Sequence, residues 1–181
     1  MIAYKAFHSG LTCRDYQFVM GLNITDKANC RQNGFHSAEN PLDCLSYYPY
    51  ADSEFYLVEA GGDIDEDGMD TKISCTELRI LKRLSPKEFF LHALAYMVDH
   101  PYREWNHCVK EDRAKAHNGY AVVRGCDPLA SGETGDILAF AKENVKSGRI
   151  EQIAVAQIDG KKLLPGVWYD VNLNERTVGI F

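Results

Sequence analysis

Apolar and polar positions alternate with a period of two along several short stretches of this chain. The segment IAYKAF, residues 2–7, reads as a strand with aromatic side chains at Tyr4 and Phe7, and a second short strand is expected near Tyr16–Val19. EFYLVEA, residues 54–60, and KISCTELRIL, residues 72–81, extend the same pattern. In the latter, Ile73, Cys75, Leu78 and Ile80 are apolar with one slip in phase, the mark of a bulge. The ten residues between these two strands, GGDIDEDGMD, read as an acidic turn.

Helical signals are fewer. Asn40 before Pro41 starts a short helix: Asn caps free N–H groups and Pro suits the first helical position. Leu42, Leu45 and Tyr48 would form its buried stripe, and Pro49 stops it. Ser85-Pro86-Lys87-Glu88 is a capping box that opens a helix running to about Asp99. Phe89, Leu91, Leu94, Met97 and Val98 are its expected buried side. His100-Pro101 interrupts, and a second, more polar helix is expected over Tyr102–His117, ending at Asn118-Gly119. From Tyr120 the texture changes. YAVVRG, GDILAFA, IEQIAVAQIDG, VWYDV and TVGIF are short strands separated by turns, which predicts an antiparallel β-meander.

The expected fold class is therefore α+β: a small mixed sheet with one short and two longer helices, then the meander. An N-terminal α+β region, 1–118, and a C-terminal β-rich region, 119–181, together make one compact unit. No apolar run approaches the length needed to span a bilayer, and the N-terminus lacks the basic and apolar regions of a secretory signal. The expected location is the cytoplasm. The six cysteines are spaced 17, 14, 31, 33 and 18 apart with no CxxC pair, so they read as reduced thiols, not a zinc ribbon or a redox motif.

Charge is distributed unevenly. Between Arg31 and Lys72 there is no Lys or Arg, while ten carboxylates fall in that interval, giving a net charge of -10 inside it and +4 outside. A one-sign field favours a cationic partner and raises its encounter rate. Asp52, Glu54, Glu59, Asp63, Asp65, Glu66, Asp67 and Asp70 are the candidate partner-binding residues. Asp63-x-Asp65-x-Asp67-Gly68 matches the first half of a calcium loop, but the twelfth position is Ser74 instead of a bidentate Glu. His100, His107, Cys108 and His117 match no closed zinc module. The expectation is no metal site and no cofactor. A pI near 5.5 and the lack of a basic patch argue against direct nucleic-acid binding.

Two tracts carry a family resemblance. YKAF…LTCRDYQF…NGFHSAENPLDCLSYYP, residues 4–49, resembles the opening of a family of poorly characterised proteins encoded by bacteriophages and other mobile elements, and residues 120–171 resemble its end. Length and acidity are also similar to type II anti-CRISPR inhibitors. The resemblance implies a non-enzymatic inhibitor of a host defence complex, preferably a CRISPR effector nuclease loaded with guide RNA, whose basic channel the acidic surface would occupy in place of DNA. A second resemblance is to ADP-ribosyltransferases that use NAD. It implies that Arg14 or His36 holds the dinucleotide, that Ser37 shapes the nicotinamide pocket and that Glu77 stabilises the developing oxocarbenium, although Cys75 stands where a companion acid or Gln is usual. A virion structural or assembly protein is the third alternative.

Overall fold

A computed structural model describes residues 1–66 and 68–178. The chain is mostly β, which corrects the α+β expectation. It forms two compact units, Met1–Ser85 and Pro86–Phe181, so residue 118 falls inside the second.

The first unit is built from β1 (Ile2–Phe7), β2 (Thr12–Cys13), β3 (Tyr16–Gln17), β4 (Gly21–Ile24), β5 (Phe35–Ala38), β6 (Glu54–Glu66) and β7 (Lys72–Arg83). β6 and β7 make a long antiparallel hairpin from Tyr56↔Arg83 to Glu66↔Ile73. The other edge of β7 is shared: β5 pairs with its first residues and β4 with its middle. β1 pairs along β6 from Ile2↔Glu59 to Phe7↔Glu54. β1 meets β5 at one register pair, Tyr4↔Ala38. The pairings β6–β7–β5–β1–β6 thus close a circuit. Inside it Phe7, Phe35, Val58, Ile73, Leu78 and Ile80 are buried together, with Phe18 beside them.

The acidic segment is not a turn from its first glycine. β6 continues through it to Glu66, and Gly61-Gly62 lies at a register irregularity between Gly61 and Ile64. Gly62 has φ +66°, and a Cβ there would meet the Thr76 hydroxyl. That hydroxyl accepts the Asp63 N–H at 2.9 Å, which fastens the bulge. The short helix at 40–49 exists as a 3-10 helix, Pro41–Ser46, capped by Asn40 as expected: the Asn40 Oδ1 accepts the Leu42 N–H at 3.1 Å.

The second unit contains α1 (Pro86–Asp99) and β8 (Val109–Lys115), β9 (Tyr120–Ser131), β10 (Ile137–Glu143), β11 (Ile150–Gln157), β12 (Trp168–Tyr169) and β13 (Glu175–Arg176). α1 packs on β10 and β11. It buries Phe89, Phe90, Ala93, Leu94 and Met97; Leu91 and Val98, expected inside, are exposed. The second long helix does not form. Residues 102–117 have strong helix formers, but Asp112 takes φ +55° and Val109–Lys115 pairs with β9 instead. Ladder bonds to a neighbour outweigh propensities of a few tenths of a kcal/mol. The antiparallel meander is also corrected: β9 runs parallel to both β8 and β10, while β10–β11, β12–β9 and β12–β13 are antiparallel. Of the expected last strand, 177–181, the final three residues lie outside those described.

Candidate functional site

Beyond Tyr4↔Ala38, β1 and β5 share no register pair. Lys5 bridges them: its Nζ donates to the His36 carbonyl at 2.7 Å. Beside this bridge is a cavity of about 570 Å³ within the first unit, a size that suits a small ligand. β1 contributes Tyr4, Lys5 and Ala6, and β5 contributes Phe35, His36, Ser37 and Ala38. The β2–β3 hairpin adds Cys13, Arg14, Asp15 and Tyr16, and the 3-10 helix region adds Asp43, Cys44, Tyr47 and Tyr48. Arg31 and Lys72 complete the charged lining.

The local structure that holds these groups is specific. Gly34 enters β5 at φ +86°, and a Cβ there would run into the Ser74 hydroxyl and the Ala28 backbone. Asp43 is buried and its Oδ2 accepts two bonds from Thr71, from the backbone N–H at 3.0 Å and the hydroxyl at 2.6 Å. The Thr71 hydroxyl in turn accepts the Asn40 N–H at 2.8 Å, which ties the 3-10 helix to the start of β7. Arg14 and Arg31 both sit at positive φ, +53° and +69°. That region costs a non-glycine residue about 1–2 kcal/mol and tends to be kept where a site needs it.

The electrostatics of the cavity oppose those of the unit around it. Residues 1–85 carry eight Lys and Arg against thirteen Asp and Glu. Four of those eight cations, Lys5, Arg14, Arg31 and Lys72, line the cavity, against two of the acids, Asp15 and Asp43. Asp43 already accepts the two Thr71 bonds.

Lys5 is 4% exposed. Burial lowers its pKa, and the charges that push it back up are those of thiols, Cys13 above all. Its Nζ is 3.7 Å from the Cys13 Sγ and lies 5.2 Å from the Phe7 and Phe18 ring centres. The Cys13 Sγ is also 2.7 Å from the Tyr48 Oη. Burial, then the bond to Cys13, raises the Tyr48 phenol. Burial pushes the Cys44 thiol up to about 12, so it stays protonated, and its sulfur donates to the Tyr4 carbonyl at 3.4 Å. Ser37 is 5% exposed and its hydroxyl has no hydrogen-bond partner. A buried hydroxyl left unpaired costs about 1–3 kcal/mol, which a ligand atom can recover.

The candidate residues read from charge do not converge on this cavity. Asp52 closes a 3-10 turn and is exposed. Glu54 pairs with Arg83 at 3.1 Å and Glu59 with Arg79 at 3.7 Å. Asp65 accepts the Cys30 N–H at 2.7 Å. Asp70 accepts the Tyr47 hydroxyl at 2.7 Å and the Lys72 N–H at 2.8 Å. Asp63 and Glu66 are exposed on β6, and Asp67 lies outside the described residues. Among the described residues no three metal-ligating side chains gather. Of the residues linked to a transferase, Arg14, His36 and Ser37 do line the cavity, while Glu77 sits exposed on β7 and is not part of the lining. Lys5, Cys13, Arg31, Tyr48 and Lys72 were missed because only the fold brings them together.

The family model for DUF7666, described as a domain of unknown function, matches residues 1–92. The chain belongs to that family. The match covers the whole first unit and therefore every residue of the cavity. No curated protein and no solved structure matches the chain. Among the described residues no helix is long and apolar enough to cross a membrane.

Proposed function

We propose that the DUF7666 unit binds a small anionic molecule in the cavity between β1 and β5. The observation that carries this reading is the concentration of half the unit's cations around one concave site in an otherwise acidic unit. Opposite charge at a concave site attracts the ligand and fixes its orientation. The buried, unpartnered Ser37 hydroxyl and the two arginines held at positive φ support it. Guanidinium groups suit carboxylate or phosphate because they donate in a fork. The test is thermal unfolding in rising inorganic phosphate at constant ionic strength, the counter-anion being chloride. Phosphate binding to the folded state raises Tm with concentration, and Arg14→Ala and Arg31→Ala each reduce the shift. A Tm that does not move with phosphate, sulfate or citrate defeats the reading.

A second reading concerns a different face. Asp63 and Glu66 are exposed on β6 and carry no ion pair among the described residues. They favour docking of this hairpin on a basic protein surface, the preferred partner being a guide-RNA-loaded CRISPR effector nuclease. Co-purification of the chain with such an effector tests it, and failure to co-purify at low salt removes it.

A further inference from the structure

We infer that Cys13 is a nucleophile, and that the cavity takes a small molecule in which a carboxylate or phosphate stands close to an electrophilic carbon. This rests on the anion-binding reading above and adds a reaction to it. Three observations carry the inference. First, Lys5 and Tyr48 both meet one sulfur. Lys5 has no acceptor role as an ammonium, so at 3.7 Å it donates to the Cys13 Sγ. The hydroxyl of half-buried Tyr48 lies 2.7 Å from the same sulfur, a contact in which either group can donate. A half-exposed sulfur that meets a buried cation and a phenol sits in the electropositive setting in which reactive cysteines are found.

Second, Lys5 is buried, and the titrating groups acting on it are the thiols of Cys13, Cys44 and Cys75. A buried ammonium needs an anion nearby. Cys44 and Cys75 are pushed up by burial, to about 12 and about 11, so neither supplies it. Cys13, half-buried on the cavity wall, is the thiol that meets the Lys5 Nζ directly. Third, the cavity that Cys13 lines has features of its own that suit a ligand. The Ser37 hydroxyl, on the same cavity wall, is buried and has no partner. Arg14, next in sequence, also lines the cavity and places a cation near the sulfur.

The step balances with solvent water as the proton acceptor: the thiol proton passes to water, and the Lys5 ammonium keeps its own. The Cys13 sulfur forms a bond to the electrophilic carbon, the bond from that carbon to its leaving group breaks, and the leaving group departs with the electron pair. The anionic arm of the substrate is held by the cationic lining while the reacting carbon faces the sulfur, the positioning that converts a bimolecular encounter into a local one.

Iodoacetate and iodoacetamide test this directly, because both alkylate thiols but only iodoacetate carries the carboxylate. An ordinary exposed thiolate reacts more slowly with iodoacetate, since the two anions repel. Cys126, the exposed cysteine, is the internal reference in the same chain. The full chain is treated with each reagent, and modification of each cysteine is followed by peptide mass spectrometry across pH. Cys13 is expected to be alkylated by iodoacetate roughly tenfold faster than Cys126, the size of one partly screened charge interaction. Its preference for iodoacetate over iodoacetamide is expected to be the higher of the two, and inorganic phosphate should protect Cys13 and leave Cys126 alone. Tyr48→Phe, which keeps the ring, and Lys5→Met should each move the pH midpoint of the Cys13 rate upward. Arg14→Ala should slow iodoacetate at Cys13 more than iodoacetamide. If Cys13 reacts no faster than Cys126 with either reagent, the nucleophile is refuted. A phosphate-dependent Tm would then leave the anion site standing. If Cys13 is fast but shows no preference for iodoacetate, the proposed substrate class is refuted.

Discussion

The Lys5 Nζ lies 2.7 Å from the His36 carbonyl oxygen, spanning two strands that share a single register pair. A side chain thus supplies a bond where the ladder between β1 and β5 has ended. Lys5→Met keeps most of the aliphatic stem against Phe7 and Phe18 but removes the bond to that carbonyl. The expected cost is about 1–3 kcal/mol, read as a lower urea midpoint with an unchanged m-value. An unchanged midpoint would mean that the bridge contributes nothing.

The same lysine should leave a mark on stability against pH. Burial lowers its folded-state pKa below the ordinary 10.5. In the interval between the lowered value and 10.5 the unfolded chain binds the proton and the folded chain does not, so this group's contribution to stability rises with pH. Parent and Lys5→Met should therefore diverge as pH approaches 10.5 from below, with the parent gaining. Parallel curves would show that Lys5 titrates normally.

Cys44 should act in the opposite direction. Burial raises its thiol from 9.0 to about 12. Above 9.0 the unfolded thiol ionises while the folded one holds its proton, so stability is full below 9.0 and falls as pH rises toward about 12. Cys44→Ala should remove that alkaline loss while lowering stability at neutral pH. Equal alkaline slopes in parent and variant would contradict the burial of this thiol.

Arg14 offers a separation of stability from binding. It sits at φ +53° at the β2–β3 turn, and it is exposed. Arg14→Gly relieves the backbone cost and should raise stability by up to about 1 kcal/mol, less the extra entropy glycine brings to the unfolded chain. The same variant removes one cavity cation and should weaken phosphate binding. Loss of both stability and binding would show that the arginine side chain holds the turn together.

The acidic hairpin is tested by charge reversal. Asp63→Lys with Glu66→Lys should leave the fold intact, because both residues are exposed. If this face docks on a basic partner, the pair should slow association more than it speeds dissociation, and the effect should fade at high salt. A control reversal in the second unit, at Lys110 and Glu111, should change little. If the control fails and the hairpin variant binds normally, the acidic window only solubilises the protein.

Strands whose signal is local alternation were readable: IAYKAF and KISCTELRIL appear where expected, and so does the capped turn at Asn40-Pro41. Where a segment's state depended on distant partners, the reading failed. Val109–Lys115 is rich in helix formers yet becomes a strand because β9 offers it a ladder. The parallel sense of β8–β9–β10 leaves no trace in alternation, which is the same for either direction. The site was half legible. YKAF, LTCRDYQF and NGFHSAENPLDCLSYY supply most of the cavity wall, but charge counting drew attention to the carboxylates. Glu54–Arg83 and Glu59–Arg79 pair two of those carboxylates, since strand pairing places bases of β7 beside acids of β6.

β7 is the last strand of the first unit to be synthesised, and it touches β4, β5 and β6. Before it emerges, the β1–β6 pairing can form, but β5 has only its single strand pair, with β1. The wall bearing His36 and Ser37 is therefore set late. A nascent chain that stops short of Lys72 holds all the thiols and arginines of the cavity and still has no cavity. Cys13 therefore faces the finished lining of the cavity only when translation has carried the chain through β7.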